Sequence, residues 1–346
     1  MKITTIGIDL AKEVFQVHGV DDHGKTVLRK QLRRNGMAKF FANLAPCLIG
    51  MEACGSSHHW ARKIGEFGHT VKLMSPQFVK PYVKTNKHDM ADAEAICEAA
   101  SRPNMRFVAI KNVEQQAILS VHRARQGMVK ARTAQANQIR GLLSEFGIVM
   151  PQGIRSISKR MPDILEDAEN GLPGILRKLL ERLSDHLKEL NRQVEELELQ
   201  IKLWHKENEA SQKLEAIPGI GPITASAIVA TVGNAAEYKN GRQLAAWLGL
   251  VSKQHSSGGK QTLLGISKRG DTYLRTLLIH GARAVIRFAE NKAEPESWLR
   301  KLIVRRNKNV AAVALANKNA RVIWALLARG IAFRHDHASA ACAADA

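Results

Sequence analysis

Along the first 150 residues, apolar and polar positions alternate at strand spacing before helical spacing takes over. Residues 3–8 form a β-branched run, Ile3-Thr4-Thr5-Ile6-Gly7-Ile8, that ends in Asp9. Such a run predicts a buried strand, and an acid at its C-terminal end emerges where α/β sheets bind ligands. Residues 13–20 and 25–32 alternate around the turn Asp21-Asp22-His23-Gly24, so these three segments predict an antiparallel meander. A short helix capped by Asn35 comes next, then a strand over 47–52 ending in Glu52, and a helix over 56–67. A strand over 69–74, a helix opened by Ser75-Pro76 and a basic link Lys84-Thr85-Asn86-Lys87 lead to a helix over 89–100. Asp89 and Asp92 stand at i and i+3 on that helix and project from one face. Helical periodicity then runs from 113 to 146, with His122, Arg123, Arg125, Lys130, Arg132 and Arg140 along it.

The second half reads as helical. A Pro-, Gly- and Ser-rich stretch over 151–174 predicts a linker. Leu176, Leu180, Leu183, Leu187, Leu190, Val194, Leu197, Ile201 and Trp204 then alternate four and three apart, the seam of a coiled coil. The seam could fold back on the helix near 113–146, but pairing with another subunit is the expectation. Residues 217–225, Ile-Pro-Gly-Ile-Gly-Pro-Ile-Thr-Ala, match a helix-hairpin-helix element in which Gly219 and Gly221 let backbone amides approach phosphate. A plain Gly-Pro turn between packed helices is the competing reading. After a helix over 238–250, a loop carries Lys253, Ser256, Ser257, Gly258, Gly259, Lys260, Lys268 and Arg269. Its glycines admit a bulky backbone, its cations neutralise phosphate, and an exposed hydroxyl beside them could attack phosphorus. From chemistry alone, a flexible phosphate-contacting loop is the first reading. Helices over 273–288 and 298–328 bear further arginines and lysines, and the small-residue tail from 335 reads as disordered.

Charge narrows the partners. The 346 residues carry a net charge of +20 with a pI near 10, without a long basic tail, which points to polyanions and first to nucleic acid. No uninterrupted apolar run approaches the roughly 18 residues of a spanning helix, and no signal peptide precedes the first strand, so a cytoplasmic protein without membrane contact is expected. Cys47, Cys54, Cys97 and Cys342 form no CxxC pair and read as reduced structural thiols. The acids carry the candidate chemistry. Phosphodiester transfer is served by hard cations about 4 Å apart, and carboxylates clustered from separate elements can hold them. Asp9, Glu52, Asp89 and Asp92 fit that part, although each could singly start a turn or answer a helix dipole. The order of elements predicts α/β plus all-α architecture: an RNase H-like, RuvC-type mixed-sheet domain over 1–150, a linker and coiled coil over 151–210, a helical domain over 211–334 and a tail over 335–346. Sugar kinases and actin also end a first strand in Gly-x-Asp, but they need a glycine-rich phosphate loop where this chain has Lys12-Glu13.

The passage Gly-Leu-Val-x-x-x-His-Ser-Ser-Gly-Gly-Lys at 249–260, followed by Gly-Ile-Ser-Lys-Arg-Gly at 265–270, occurs together with Met51-Glu52-Ala53-Cys54-Gly55 and Asp89-x-x-Asp92-Ala93. In this order the motifs resemble the IS110 family of transposases, particularly its IS1111 branch, over almost the whole chain. The resemblance implies a site-specific DNA recombinase in which Asp9, Glu52, Asp89 and Asp92 bind Mg2+ while a serine becomes covalently joined to DNA. The family's serine directly precedes a glycine, which maps it to Ser257 rather than Ser256. His88 stands where asparagine is more usual. The resemblance also implies donor and target DNA and a guide RNA encoded by the element as partners, and the coiled coil adds the expectation of a homo-oligomer, a dimer or tetramer. The runner-up is a Mg2+-dependent junction resolvase that uses the same acids to hydrolyse DNA, and a third reading is an architectural nucleic-acid-binding protein.

Overall fold

The strands form as their periodicity predicts. The structure, a computed structural model, describes residues 2–84, 88–292 and 297–333. The expected basic link at 85–87 and the tail over 335–346 therefore lie outside the described residues. In chain order the first elements are β1 (Thr5–Leu10), β2 (Val14–Val20), β3 (Thr26–Arg33), α1 (Met37–Ala42), β4 (Leu48–Glu52), α2 (Ser57–Gly65), β5 (Thr70–Met74), α3 (Pro76–Val79), α4 (Asp89–Ala100) and β6 (Phe107–Val108). They build one six-stranded mixed sheet in the order β3-β2-β1-β4-β5-β6. β1, β4 and β5 run parallel at its centre, and the meander and β6 are antiparallel. This order is consistent with the expected RNase H-like layout. β6 was not foreseen, because two residues are too few to show a period.

Two glycines set how α4 meets the sheet. A Cβ on Gly7 of β1 would stand 2.2 Å from the Ala93 carbonyl oxygen and 2.3 Å from the Cys97 nitrogen, and one on Gly50 of β4 would stand 2.6 Å from Ala100 Cβ. α4 thus lies directly on the strand backbones, with Ile96, Ala99 and Ala100 packed against Met74. The other face of the sheet buries Ile6, Ile8, Phe15, Ile49 and Met51 against Trp60 and Ile64 of α2. Gly7→Ala is expected to cost about 3 kcal/mol or more, since the obstructing atoms are backbone and cannot move aside independently. Gly36→Ala, with open space around its Cβ, should stay within about 0.5 kcal/mol of wild type. Urea midpoints of the two variants check this, and equal midpoints would show that α4 does not rest on β1.

The chain divides into two compact units, 1–113 and 114–346. The second begins with α5 (Val113–Ser144), α6 (Ile154–Glu166) and α7 (Gly174–Glu207). By packing, α5 belongs to the helical second unit. The expected linker over 151–174 is largely helix. Ile157, Met161 and Ile164 of α6 are buried among Leu176, Leu180 and Leu187 of α7 and Ala136, Ile139 and Leu143 of α5. Burying three such side chains contributes roughly 5 kcal/mol, which outweighs the ~3 kcal/mol disfavour of Pro162 inside α6. The apolar seam of α7 is likewise covered by this chain's own helices, which corrects the expectation of pairing with another subunit. α5 and α7 run antiparallel, tied by Arg125–Glu198, Arg132–Asn191 and Gln135–His186 contacts.

The remaining elements are α8 (Glu209–Glu215), α9 (Pro222–Val232), α10 (Gly241–Trp247), β7 (Ser252–Ser257), β8 (Lys260–Ile266), α11 (Thr272–Lys292), α12 (Trp298–Arg305) and α13 (Lys308–Arg329). Two helices replace the single one predicted over 298–328, because Asn307 caps α13 through the Asn309 amide. α13 is long and apolar enough to cross a membrane by length and composition. In this fold, however, its Ala312, Leu315, Ala316, Ala320 and Ile323 are buried in the core shared with α9, α10 and α11. Cys47 and Cys97 are buried free thiols, whereas Cys54 is exposed, contrary to its reading as structural.

Candidate active site

The first unit gathers the acids. Parallel pairing sets Ile8 opposite Met51, so Asp9 and Glu52 leave the sheet side by side at the ends of β1 and β4. α4, laid flat on Gly7, brings its first turn over the same strand ends. Its N-cap is His88, whose Nδ1 accepts a hydrogen bond from the Met90 amide at 3.2 Å, the role an asparagine would fill. One carboxylate oxygen each from Asp9, Asp89 and Asp92 can be chosen so that all three lie within 4.8 Å of one another. Glu52 is not in that close set. It is nevertheless near: burial, then the charges of Asp9 and Asp92, push its pKa up. Burial beside neighbouring carboxylate charge marks an acidic site, and an all-oxygen donor set suits a hard divalent cation. The residues present fit such an ion. Asp89 and Asp92 also sit in the first turn of α4, where the helix dipole favours them, so the two roles coincide.

The second unit presents the serines. Residues expected in a loop form a two-stranded antiparallel hairpin, β7–β8, with Ser257 paired to Lys260, Ser256 to Gln261 and His255 to Thr262. Gly258 and Gly259 have φ of +55° and +79°, the pair of positive values that a two-residue type I′ turn requires. Ser257 is thus the last strand residue before the turn, directly across from Lys260, and alternation puts His255 and Thr262 on its face. Ser256 points to the opposite face, with Gln261. Every residue of β7 is exposed, as are all of β8 but the half-buried Ile266. Residues 238–270 hold six lysines and arginines, Lys239, Arg242, Lys253, Lys260, Lys268 and Arg269, and no acid. The exposed ribbon is therefore an electropositive projection.

The base of the hairpin is rigid, a feature the sequence reading missed. A Cβ on Gly249 would meet the Arg269 carbonyl oxygen at 2.0 Å, and one on Gly270 would meet that of Trp247 at 1.8 Å, so the incoming and outgoing chains cross backbone to backbone. Lys268, at φ +54°, donates its amide to the Gly249 carbonyl, and the Ser267 amide donates to that of Val251. The buried Arg275 donates from Nη1 to the carbonyls of Leu248 and Arg269 and from Nη2 to Thr272 Oγ1. Lys268 and Arg269 therefore project from a fixed crossing. The two glycines proposed to approach phosphate separate. Gly219 packs against α11, where a Cβ would stand 2.8 Å from the Gly281 carbonyl oxygen, so helix packing accounts for it; Gly221 has open space at the N-terminus of α9.

Comparisons with known proteins agree with this architecture. A family model described as "Transposase IS116/IS110/IS902 family" matches residues 211–296, and a transposase model of the DEDD type of IS110 matches residues 6–148. The chain is 55% identical to a probable family 20 transposase of Pseudomonas aeruginosa, over 96% of this chain and 99% of that protein. It is 46% identical to the transposase of insertion sequence element IS1111A of Coxiella burnetii, over 96% and 92% of the two chains. It is 45% identical to the transposase of IS1328 of Yersinia enterocolitica, over 96% and 98%. Three clustered carboxylates with Glu52 beside them at the ends of central strands, a serine hairpin in the second unit and end-to-end similarity of this strength lead to one assignment: the chain is a DNA transposase and belongs to the IS110 family, in its IS1111 branch.

Proposed function

We propose that the protein moves its insertion sequence by cutting and rejoining DNA through a covalent phosphoserine on Ser257. The observation that carries this reading is the I′ hairpin tip: it exposes the Ser257 hydroxyl, sets Lys260 across from it, and places both on a ribbon with positive charge and no acid. In the proposed step Ser257 Oγ bonds to phosphorus and the bond from phosphorus to a deoxyribose oxygen breaks. The serine proton passes, in net terms, to the departing oxygen. Rejoining is the reverse step with a different strand's hydroxyl, so the phosphoester bond is conserved rather than lost to water. Lys260, Lys253, Lys268 and Arg269 hold the phosphate backbone, and the small Gly258 and Gly259 let it come close.

Asp9, Asp89 and Asp92, with Glu52 beside them, would hold Mg2+ in a RuvC-type site. A bound cation of this kind would supply Lewis-acid stabilisation of the phosphoryl oxygens. The carboxylates and the serine belong to different compact units, so the reaction requires both to reach one phosphodiester, within one copy or between copies of a homo-oligomer. The test is a denaturant-resistant protein–DNA adduct formed with DNA bearing the element's own ends; a cleaved product with no adduct would favour a hydrolytic resolvase.

Sequence choice is proposed to rest on a guide RNA encoded by the element. The basic, acid-free ribbon supports backbone contacts more than base reading. Nucleic acid that copurifies with the protein is expected to be dominated by one structured RNA transcribed from beside the gene. A random sample of cellular RNA would sink the guide.

A further inference from the structure

The serine hairpin hangs on the first turn of α11, and that turn is bonded to the long helix α5 by a buried polar chain. His122 of α5 is 1% exposed and lies between two hydroxyls. Its Nε2 is 3.1 Å from Ser226 Oγ of α9, and its Nδ1 is 3.0 Å from the Tyr273 hydroxyl of α11. The directions follow from the ends. Ser226 donates its single proton to the Pro222 carbonyl at 2.7 Å, so its oxygen accepts from His122 Nε2–H. His122 Nδ1 then carries the lone pair and accepts from Tyr273 O–H. The positive charge of Arg125 acts on the Tyr273 hydroxyl, and its guanidinium donates from Nε and Nη2 to Glu198 Oε1 of α7 at 3.0 and 2.6 Å. Burial, then the Arg125 charge, lowers the His122 pKa to about 4, which keeps the ring neutral and this arrangement intact at neutral pH.

Every member is satisfied, yet the surroundings are apolar: Ile118, Ile201 and Ala230 pack as one cluster with Leu119 and Ile223 at its edge. Apolar side chains there would hold the helices together as well or better, because a buried polar chain adds little net stability. What hydrogen bonds add is direction. Tyr273 is two residues from the buried Arg275, which fastens the base of the hairpin, and the Gly249–Arg269 and Gly270–Trp247 crossings make that base stiff. The hairpin's orientation is therefore the orientation of the α11 first turn.

We infer that the hydrogen bond from Tyr273 to His122 is a positioning contact that aims the Ser257 hairpin relative to the α5–α7 helix pair. Its catalytic consequence rests on the reading of Ser257 as nucleophile; its structural consequence does not. Tyr273→Phe deletes one oxygen and keeps the ring. Spin labels placed at the exposed positions 188 on α7 and 261 on the hairpin, after replacement of the native cysteines, read the aim without any DNA. In Tyr273→Phe the distance distribution is expected to widen about twofold while the melting temperature stays within about 4 °C of wild type. In the full nucleoprotein the rate of adduct formation should fall about tenfold with DNA affinity unchanged, because misplacing a nucleophile by a fraction of an ångström already costs rate. His122→Asn, whose amide oxygen replaces the Nδ1 acceptor, should recover a narrower distribution than His122→Leu. An unchanged distribution in Tyr273→Phe overturns the contact, and a widened distribution with a wild-type adduct rate overturns its role in the reaction. If Ser257→Ala still forms the adduct, the nucleophile assignment fails and the distance distribution alone decides the contact.

Discussion

Ser257→Ala should abolish the covalent protein–DNA adduct and reduce strand exchange by on the order of 10^4-fold, as expected when a nucleophile is removed and nothing takes its place. Folding should be little changed: Ser257 is exposed next to the hairpin turn, and surface substitutions of this size stay within about 0.5 kcal/mol. Ser256→Ala is the internal control. Its side chain lies on the opposite face of the ribbon, paired across to Gln261, so it should keep adduct formation within about threefold of wild type. The measurement is a denaturing gel of labelled DNA with each variant, beside a thermal melt. A Ser257→Ala protein that cleaves at the wild-type rate without an adduct would return the acids to a hydrolytic role, with water as nucleophile.

The acids should separate into two behaviours. Asp9→Asn, Asp89→Asn and Asp92→Asn each remove a member of the close oxygen set, and each should lower strand cleavage by on the order of 10^3-fold at any Mg2+ concentration. Glu52 stands beside that set, so Glu52→Gln should leave the maximal rate within about tenfold of wild type but raise the half-saturating Mg2+ concentration about tenfold or more. Titrating Mg2+ after stripping with EDTA resolves the two classes. Wild-type cleavage by Asp9→Asn, or undiminished cleavage in EDTA, would show that the carboxylates hold no catalytic metal. Because these acids repel one another in the metal-free protein, Mg2+ should also raise the melting temperature of wild type more than that of Asp92→Asn.

Much of this was legible in the residues. β1, β2 and β3 announced themselves by period-two alternation, and Asp9 and Glu52 by ending apolar runs. The spacing of Asp89 and Asp92 placed them on one helical face. The clustering of these acids was not in the spacing. It depends on α4 lying against β1, and the only trace of that in the sequence is the glycine in the middle of each strand, Gly7 and Gly50. The α6 helix was hidden because Pro162 and the flanking glycines outvote a short amphipathic pattern locally, while the burial that favours the helix comes from the packing of α5 and α7 against it, which lies outside that pattern.

The seam of α7 shows the division most clearly. Its four-three repeat determined that an apolar stripe must be covered, and nothing in the repeat could say by what; the antiparallel return of α5 decided it within the chain. The same holds for Ser257. Its motif placed the residue in an expected loop, but two positive-φ glycines, a strand pairing with Lys260 and a base held through Arg275 make that segment a hairpin. Periodicity and residue chemistry are local, so sequence by itself determined the elements, the charge and the candidate groups. Which backbone surfaces touch is a long-range competition between packings, and only the tertiary structure decided it.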